Sequence, residues 1–197
     1  MLEYAVALTG SIATGKSTAS AILRLFGFRI IDADEVAHQI LDAKSDKIAQ
    51  IFGDEFVRSG KVDRKALGKV VFANPQKRKI LEELLHPAIK DEILFQAETQ
   101  EKFKKPYLID IPLFFERKIY KDLIKKVVVV YTPKDLQLER LINRDKITKD
   151  EAMQKISLQI DIDKKRELAT WVIDNSKNLR ELQKECEAVK EKILSSF

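Results

Sequence analysis

The chain has 197 residues, 45% of them hydrophobic and 34% charged, which is enough apolar side chain for one packed core and too much for a disordered chain. The net charge of +5 suits an anionic ligand such as a polyphosphate. The basic residues are interleaved with acids and are not gathered around stacking aromatics, which argues against a nucleic-acid module. The single cysteine, Cys186, excludes an internal disulfide and fits a reducing compartment. The opening "MLEYAVALTG" lacks the basic and long apolar segments of a signal peptide, and no apolar run is long enough to cross a bilayer. A cytoplasmic protein with no membrane contact is therefore expected, as a monomer or a weak homo-oligomer.

Five short β-branched runs, 3–9 (EYAVALT), 28–32 (FRIID), 106–111 (PYLIDI), 127–132 (VVVVYT) and 171–174 (WVID), alternate with helical patterns. Strands this apolar, with no polar alternation, belong in a parallel sheet covered on both faces. The expected class is α/β, with a five-stranded parallel sheet flanked by helices in a single domain. Its core would comprise residues 1–35, 106–132 and 169–197. Residues 36–105 hold no convincing strand and read as a helical insertion, and 133–168 read as a second helical region, a lid. Both follow strand ends, where open parallel sheets bind ligands.

Along the chain, the first chemical signal is "LTGSIATGKST" at 8–18. Gly10, Gly15, Lys16 and Ser17 satisfy the GxxxxGK(S/T) spacing, with a strand before and a helix after. The backbone N–H groups of such a loop, from Gly10 through Ser11, Ile12, Ala13, Thr14, Gly15, Lys16 and Ser17 to Thr18, cradle phosphate oxygens at the helix's positive end. Lys16 can reach the β- and γ-phosphates, and the Ser17 hydroxyl can bind Mg²⁺. Gly27 stands where the following helix would end in a left-handed cap.

"IIDADEVAHQ" then closes the second strand with Asp32 and Asp34. A kinase acting on an alcohol needs a carboxylate to take the hydroxyl proton, although either Asp could instead serve as a helix N-cap. In the insertion, "LLHP" is unusual because Pro87 constrains the backbone beside His86; His38 and His86 are not spaced as a metal pair. Asp110 closes the strand in "YLIDIPLFFE" like a Walker B aspartate, where it would hold a Mg²⁺ water or contact the acceptor. In the second helical region Arg140 and Arg144 lie four apart on one helix face, fit either for a charge-stabilising lid or for surface pairs with Glu139 and Asp145. Pro133 and the "TKDE" capping box at 148–151 mark helix starts. Lys165 and Arg166 read equally as a solvated helix face or as groups with a direct role, and Asn175, just past the last strand, reads equally as a turn residue or a site residue.

These motifs in this order, above all "LLHP" together with "DIPLFFE", resemble the bacterial dephospho-CoA kinases, a P-loop small-molecule kinase family, along essentially the whole chain. The resemblance implies a P-loop kinase fold and transfer of the ATP γ-phosphoryl to the ribose 3′-hydroxyl of dephospho-CoA, with ATP and Mg²⁺ required. By position it implies Asp34 as general base, with Lys16 and Arg140 as further catalytic groups. The loop from Gly10 to Thr18 with Arg144 and Asn175 would bind ATP, and Ser17 would hold the metal, with Asp110 joining through water. Asp32, His86, Pro87 and Asp110 would contact the acceptor, His86 and Pro87 at a family-specific turn in the acceptor-binding insertion. Ser11 and Ala13 stand where the family often has glycine, and Thr170 replaces a common acid. The rival classes are another metabolite or nucleoside monophosphate kinase and a GTP-binding switch; the latter lacks any N-K-x-D guanine-reading sequence.

Overall fold

The first apolar run forms β1 (Ala5–Gly10), and the phosphate-loop sequence leads directly into α1 (Lys16–Leu25). The computed structural model describes residues 1–197, with the side chain of Lys118 left aside. Gly27 follows α1 at φ 95° and donates its N–H to the Arg24 carbonyl, the left-handed ending expected of it. The chain continues through β2 (Ile30–Asp32), α2 (Ala33–Ala43), α3 (Ser45–Phe52), β3 (Val57–Arg58), β4 (Lys61–Val62), α4 (Arg64–Ala73) and α5 (Pro75–Glu101). It returns through β5 (Tyr107–Asp110), β6 (Lys126–Tyr131), α6 (Lys134–Asp145), α7 (Lys149–Ser157), α8 (Ile162–Glu167), β7 (Trp171–Asp174) and α9 (Leu179–Leu194).

The five predicted strands make one sheet in the order β2-β5-β1-β6-β7. β1 runs parallel to both β5 and β6, and β6 runs parallel to β7. Side chains alternate between faces along a strand, and both faces are dry. Val6, Leu8, Leu108, Val128, Val130 and Ile173 join Ala19 and Leu23 of α1 and Leu182, Cys186 and Val189 of α9 in one core. Ala7, Ile109 and Val129, on the opposite face, are equally inaccessible. Burial pushes the Cys186 thiol up to about 12, so it is core filling and not a nucleophile.

Two compact units are distinguished, Met1–Ile31 with Ala97–Phe197, and Asp32–Gln96. The second has its own core of Leu41, Ile48, Phe52, Phe56, Val62, Leu67 and Leu85. It departs from the sequence reading in two respects. First, it contains a strand pair: β3 and β4 form an antiparallel hairpin, joined by Ser59 and Gly60, both at positive φ. Strands of two residues are too short to show any period. Second, no turn occurs at His86 and Pro87, because α5 runs unbroken through them. Pro87 lacks an N–H, so the carbonyl of Glu83 loses its helical partner, and the rest of a 27-residue helix absorbs that loss. Asn74 starts this helix by accepting the N–H groups of Gln76 and Lys77, with Pro75 at the first helical position. Among the described residues no helix is long and apolar enough to cross a membrane.

Candidate active site

The loop from Gly10 to Thr18 takes its shape from close approaches that only glycine permits. A Cβ on Gly10 would lie 2.7 Å from Thr14 Oγ1 and 3.0 Å from the Val130 carbonyl. A Cβ on Gly15, whose φ is 83°, would lie 2.1 Å from Asn175 Nδ2. Ala13 adopts φ 61°, a left-handed conformation costing roughly 1–2 kcal/mol with a Cβ present, which explains why glycine suits that position. The Thr14 hydroxyl donates to the Ser11 carbonyl at 2.8 Å and closes the turn. α1 starts with no side-chain cap, so the N–H groups of Lys16 and Ser17 are left for an incoming anion, while that of Thr18 donates to the Gly15 carbonyl.

The loop is held from beneath by residues far away in the chain. Asn175 Nδ2 and Thr132 Oγ1 both donate to the Thr14 carbonyl, at 2.8 and 3.1 Å. Arg140 donates to Thr132 Oγ1 at 3.2 Å and to the Asn175 carbonyl at 3.0 Å, and Gln137 Nε2 donates to the Thr132 carbonyl at 2.7 Å. Arg140 is therefore seated against the base of the loop and does not swing free. Lys16 Nζ donates to Asp110 Oδ1, and Asp110 is buried at the end of β5. The Ser17 hydroxyl is exposed and bonds to none of the described residues.

Of the residues singled out in the sequence, the loop, Asp110, Arg140 and Asn175 come together in the first unit. Arg144 lies at the exposed end of the same helix and pairs with Asp145 at 2.8 Å, the surface pairing its segment also allowed. Asp32, Asp34, His86 and Pro87 belong to the second unit. Asp32 caps α2, its Oδ1 accepting the N–H groups of Asp34 and Glu35 at 2.9 and 3.1 Å. Asp34 stands exposed in the first turn of α2, bonded through its carboxylate to none of the described residues. His86 is half-buried and Pro87 exposed.

Sequence reasoning passed over three residues at or behind this loop and left a fourth undecided. Thr132 and Gln137 are two. Gln159 is the third, its Oε1 accepting the Ile12 N–H at 2.9 Å. The fourth is Lys165, not a solvated side chain but one with no accessible surface. Its Nζ lies 2.9 Å from the Gly10 carbonyl and 2.7 Å from Glu116 Oε1. The available signal was its spacing from Ile162, since residues three apart share the buried face of α8.

Comparisons with known proteins match the chain over most of its length. A family model described as "CoaE: Dephospho-CoA kinase" matches residues 4–181. "Dephospho-CoA kinase" of Sulfurimonas denitrificans is 50% identical over 195 residues, covering 99% of this chain and 96% of the relative. That of Wolinella succinogenes is 42% identical over 196 residues, covering 100% of this chain and 98% of the relative. Among solved structures, "Dephospho-CoA kinase from Campylobacter jejuni" superposes with a TM-score of 0.81 at 39% identity, covering 98% of each chain.

Proposed function

We infer the chemistry of this chain from the premise that it belongs to the dephospho-CoA kinase family. The activity is ATP-dependent phosphorylation of the ribose 3′-hydroxyl of dephospho-CoA, giving coenzyme A and ADP, the last step of coenzyme A biosynthesis. The observation that carries the donor half is the glycine-built loop ahead of an uncapped α1, with Lys16 at its mouth. This arrangement offers N–H groups, a helix N-terminus and an ammonium to a triphosphate.

In the proposed reaction the acceptor's 3′-oxygen attacks the γ-phosphorus, and the bond from that phosphorus to the β,γ-bridging oxygen breaks. The hydroxyl proton passes to the Asp34 carboxylate, which is free of other bonds to the described residues and able to accept it. Lys16 exchanges its partner Asp110 for phosphate oxygens and follows the charge as it moves onto ADP. Arg140, held by Thr132 and Asn175, presents positive charge beside the loop without the cost of ordering a mobile side chain. Arg144, on the exposed end of the same helix, would reach the nucleotide phosphates, and Asn175 would act on ATP by holding the loop. Asp32, His86 and Pro87 are assigned to the acceptor side with the second unit.

The donors near the loop are hard oxygens, the Ser17 hydroxyl and the Asp110 carboxylate, and so few protein ligands suit Mg²⁺, which retains waters and phosphate oxygens. Ser17 would hold it directly and Asp110 through water, and the ion would supply neutralisation of the β- and γ-phosphate charge.

The test offers the pure protein Mg²⁺-ATP with dephospho-CoA, with several nucleoside monophosphates, or with no acceptor, and follows ADP release. Release dependent on dephospho-CoA is expected. Equal turnover without acceptor, or preference for a monophosphate, would overturn the reading.

A further inference from the structure

An ammonium removed from water needs partners for its charge and its N–H groups. Lys165 has no accessible surface, and its partners are informative. One is the carbonyl of Gly10, the residue that opens the phosphate loop, at 2.9 Å. The other is Glu116 Oε1 at 2.7 Å, in the segment that follows β5. The same Glu116 oxygen accepts the N–H of Ile160 at 3.0 Å. Next to Ile160, Gln159 Oε1 accepts the N–H of Ile12 at 2.9 Å. These four bonds close a circuit among three stretches of chain: the loop at Gly10 and Ile12, the segment 159–165 beyond α7, and Glu116.

Two features separate this circuit from an ordinary stabilising ion pair. Both of its contacts with the loop are to backbone groups, one carbonyl and one N–H, so it fixes the path of the main chain that presents N–H groups to phosphate. Glu116 is also an inefficient stabiliser, because its Oε2 is buried with no hydrogen-bond partner among the described residues. Desolvation holds the Lys165 ammonium below its usual range against the opposing pull of Glu116, so the charge is kept at a cost.

We propose that Lys165 is a positioning residue for phosphoryl transfer, acting with Glu116 and Gln159 to tie the segment beyond α7 to the phosphate loop. None of the three need touch the nucleotide. They set the loop's N–H groups and the lid-side helices as one piece, so nucleotide affinity depends on a lysine buried beneath the loop. The proposal rests on reading the loop as a nucleotide cradle. It does not depend on the identity of the acceptor.

The test compares Lys165→Met, Lys165→Arg, Glu116→Gln, Gln159→Leu and the double variant K165M/E116Q. It measures ADP affinity without acceptor, kcat, KM for each substrate and the melting temperature. K165M and E116Q should each lower kcat/KM for ATP by about 10²-fold, the scale of a small misplacement of reacting groups. KM for the acceptor should stay near that of the unaltered protein, and K165R should restore much of the loss. The double variant should be no worse than the poorer single one, because the pair acts as a unit. Should K165M fail to fold, Q159L decides, since it spares the ion pair; it should weaken ADP binding by roughly ten-fold. Folded variants whose melting temperature falls while ADP affinity and kcat stand unchanged would overturn the proposal, as would multiplicative losses in the double variant. Because ADP affinity is read without acceptor, this outcome is separate from any failure of dephospho-CoA as substrate.

Discussion

Asp32 and Asp34 are two residues apart, yet their carboxylates differ in the bonds they make. Asp32 already accepts two backbone N–H groups at the start of α2, and a carboxylate so engaged is a cap before it is a base. Asp34, with no such bond, is available for a proton. Asp34→Asn should lower kcat by ~10²–10⁴ with ADP affinity retained, the usual size of a general-base contribution. Asp32→Asn should leave kcat and stability close to the original, since Asn caps a helix as well as Asp, and any loss should fall on the KM for the acceptor. Steady-state kinetics beside ADP titration checks both, and the reverse pattern would exchange the two assignments. Both aspartates were visible in "IIDADE" as candidates for either role. Which of them caps α2 was not, because the cap depends on where the helix begins.

Between single residues and the fold stand the helices that follow β6. "TKDE" is a capping box in the structure as in the sequence: Thr148 Oγ1 accepts the Glu151 N–H, and the Glu151 carboxylate accepts the Thr148 N–H. Such local rules can be read without tertiary information. The ion cluster beside it is less local. Asp145 accepts from Arg144 and, across to α7, from Lys155 at 3.0 Å, and these bonds, Arg144 first, hold its carboxyl down at about 2. The folded value lies below the ordinary 3.8, so this contribution is complete above the ordinary value and fades as pH falls toward the folded one. The cluster is largely solvated and should contribute under about 1 kcal/mol. Asp145→Asn is expected to unfold at lower urea than the original protein at neutral pH, with the gap narrowing between about pH 5 and about pH 3. A gap that is constant over that range would mean the cluster is not what joins the two helices.

For the molecule as a whole, the decisive fact is that each unit has its own core. Leu8 lies at the centre of the sheet, and Leu67 in the core of residues 32–96. Truncating either to alanine should cost ~2–5 kcal/mol, but with different reach. Leu67→Ala should speed amide hydrogen exchange chiefly within residues 32–96, and Leu8→Ala should do so across the sheet. Equal acceleration everywhere in Leu67→Ala would mean that the two cores open together.

By itself, the sequence determined the five strands of the sheet, the phosphate loop, some of the helix starts and the family, because these depend on spacing within a few residues. Propensity, capping and hydrophobic period all act over that range. Only the tertiary structure decided that β1 lies between β5 and β6, and this order brings Asp110 to Lys16 and Thr132 to Thr14. It also decided that Asn175, 161 residues from Thr14, supports the loop, and that Lys165, 155 residues from Gly10, is buried beneath it. A lysine between Lys164 and Arg166 looks solvated in a linear chain. What distinguishes it is the carbonyl at the end of β1 and the carboxylate in the segment after β5, and strand order is not written in any one segment.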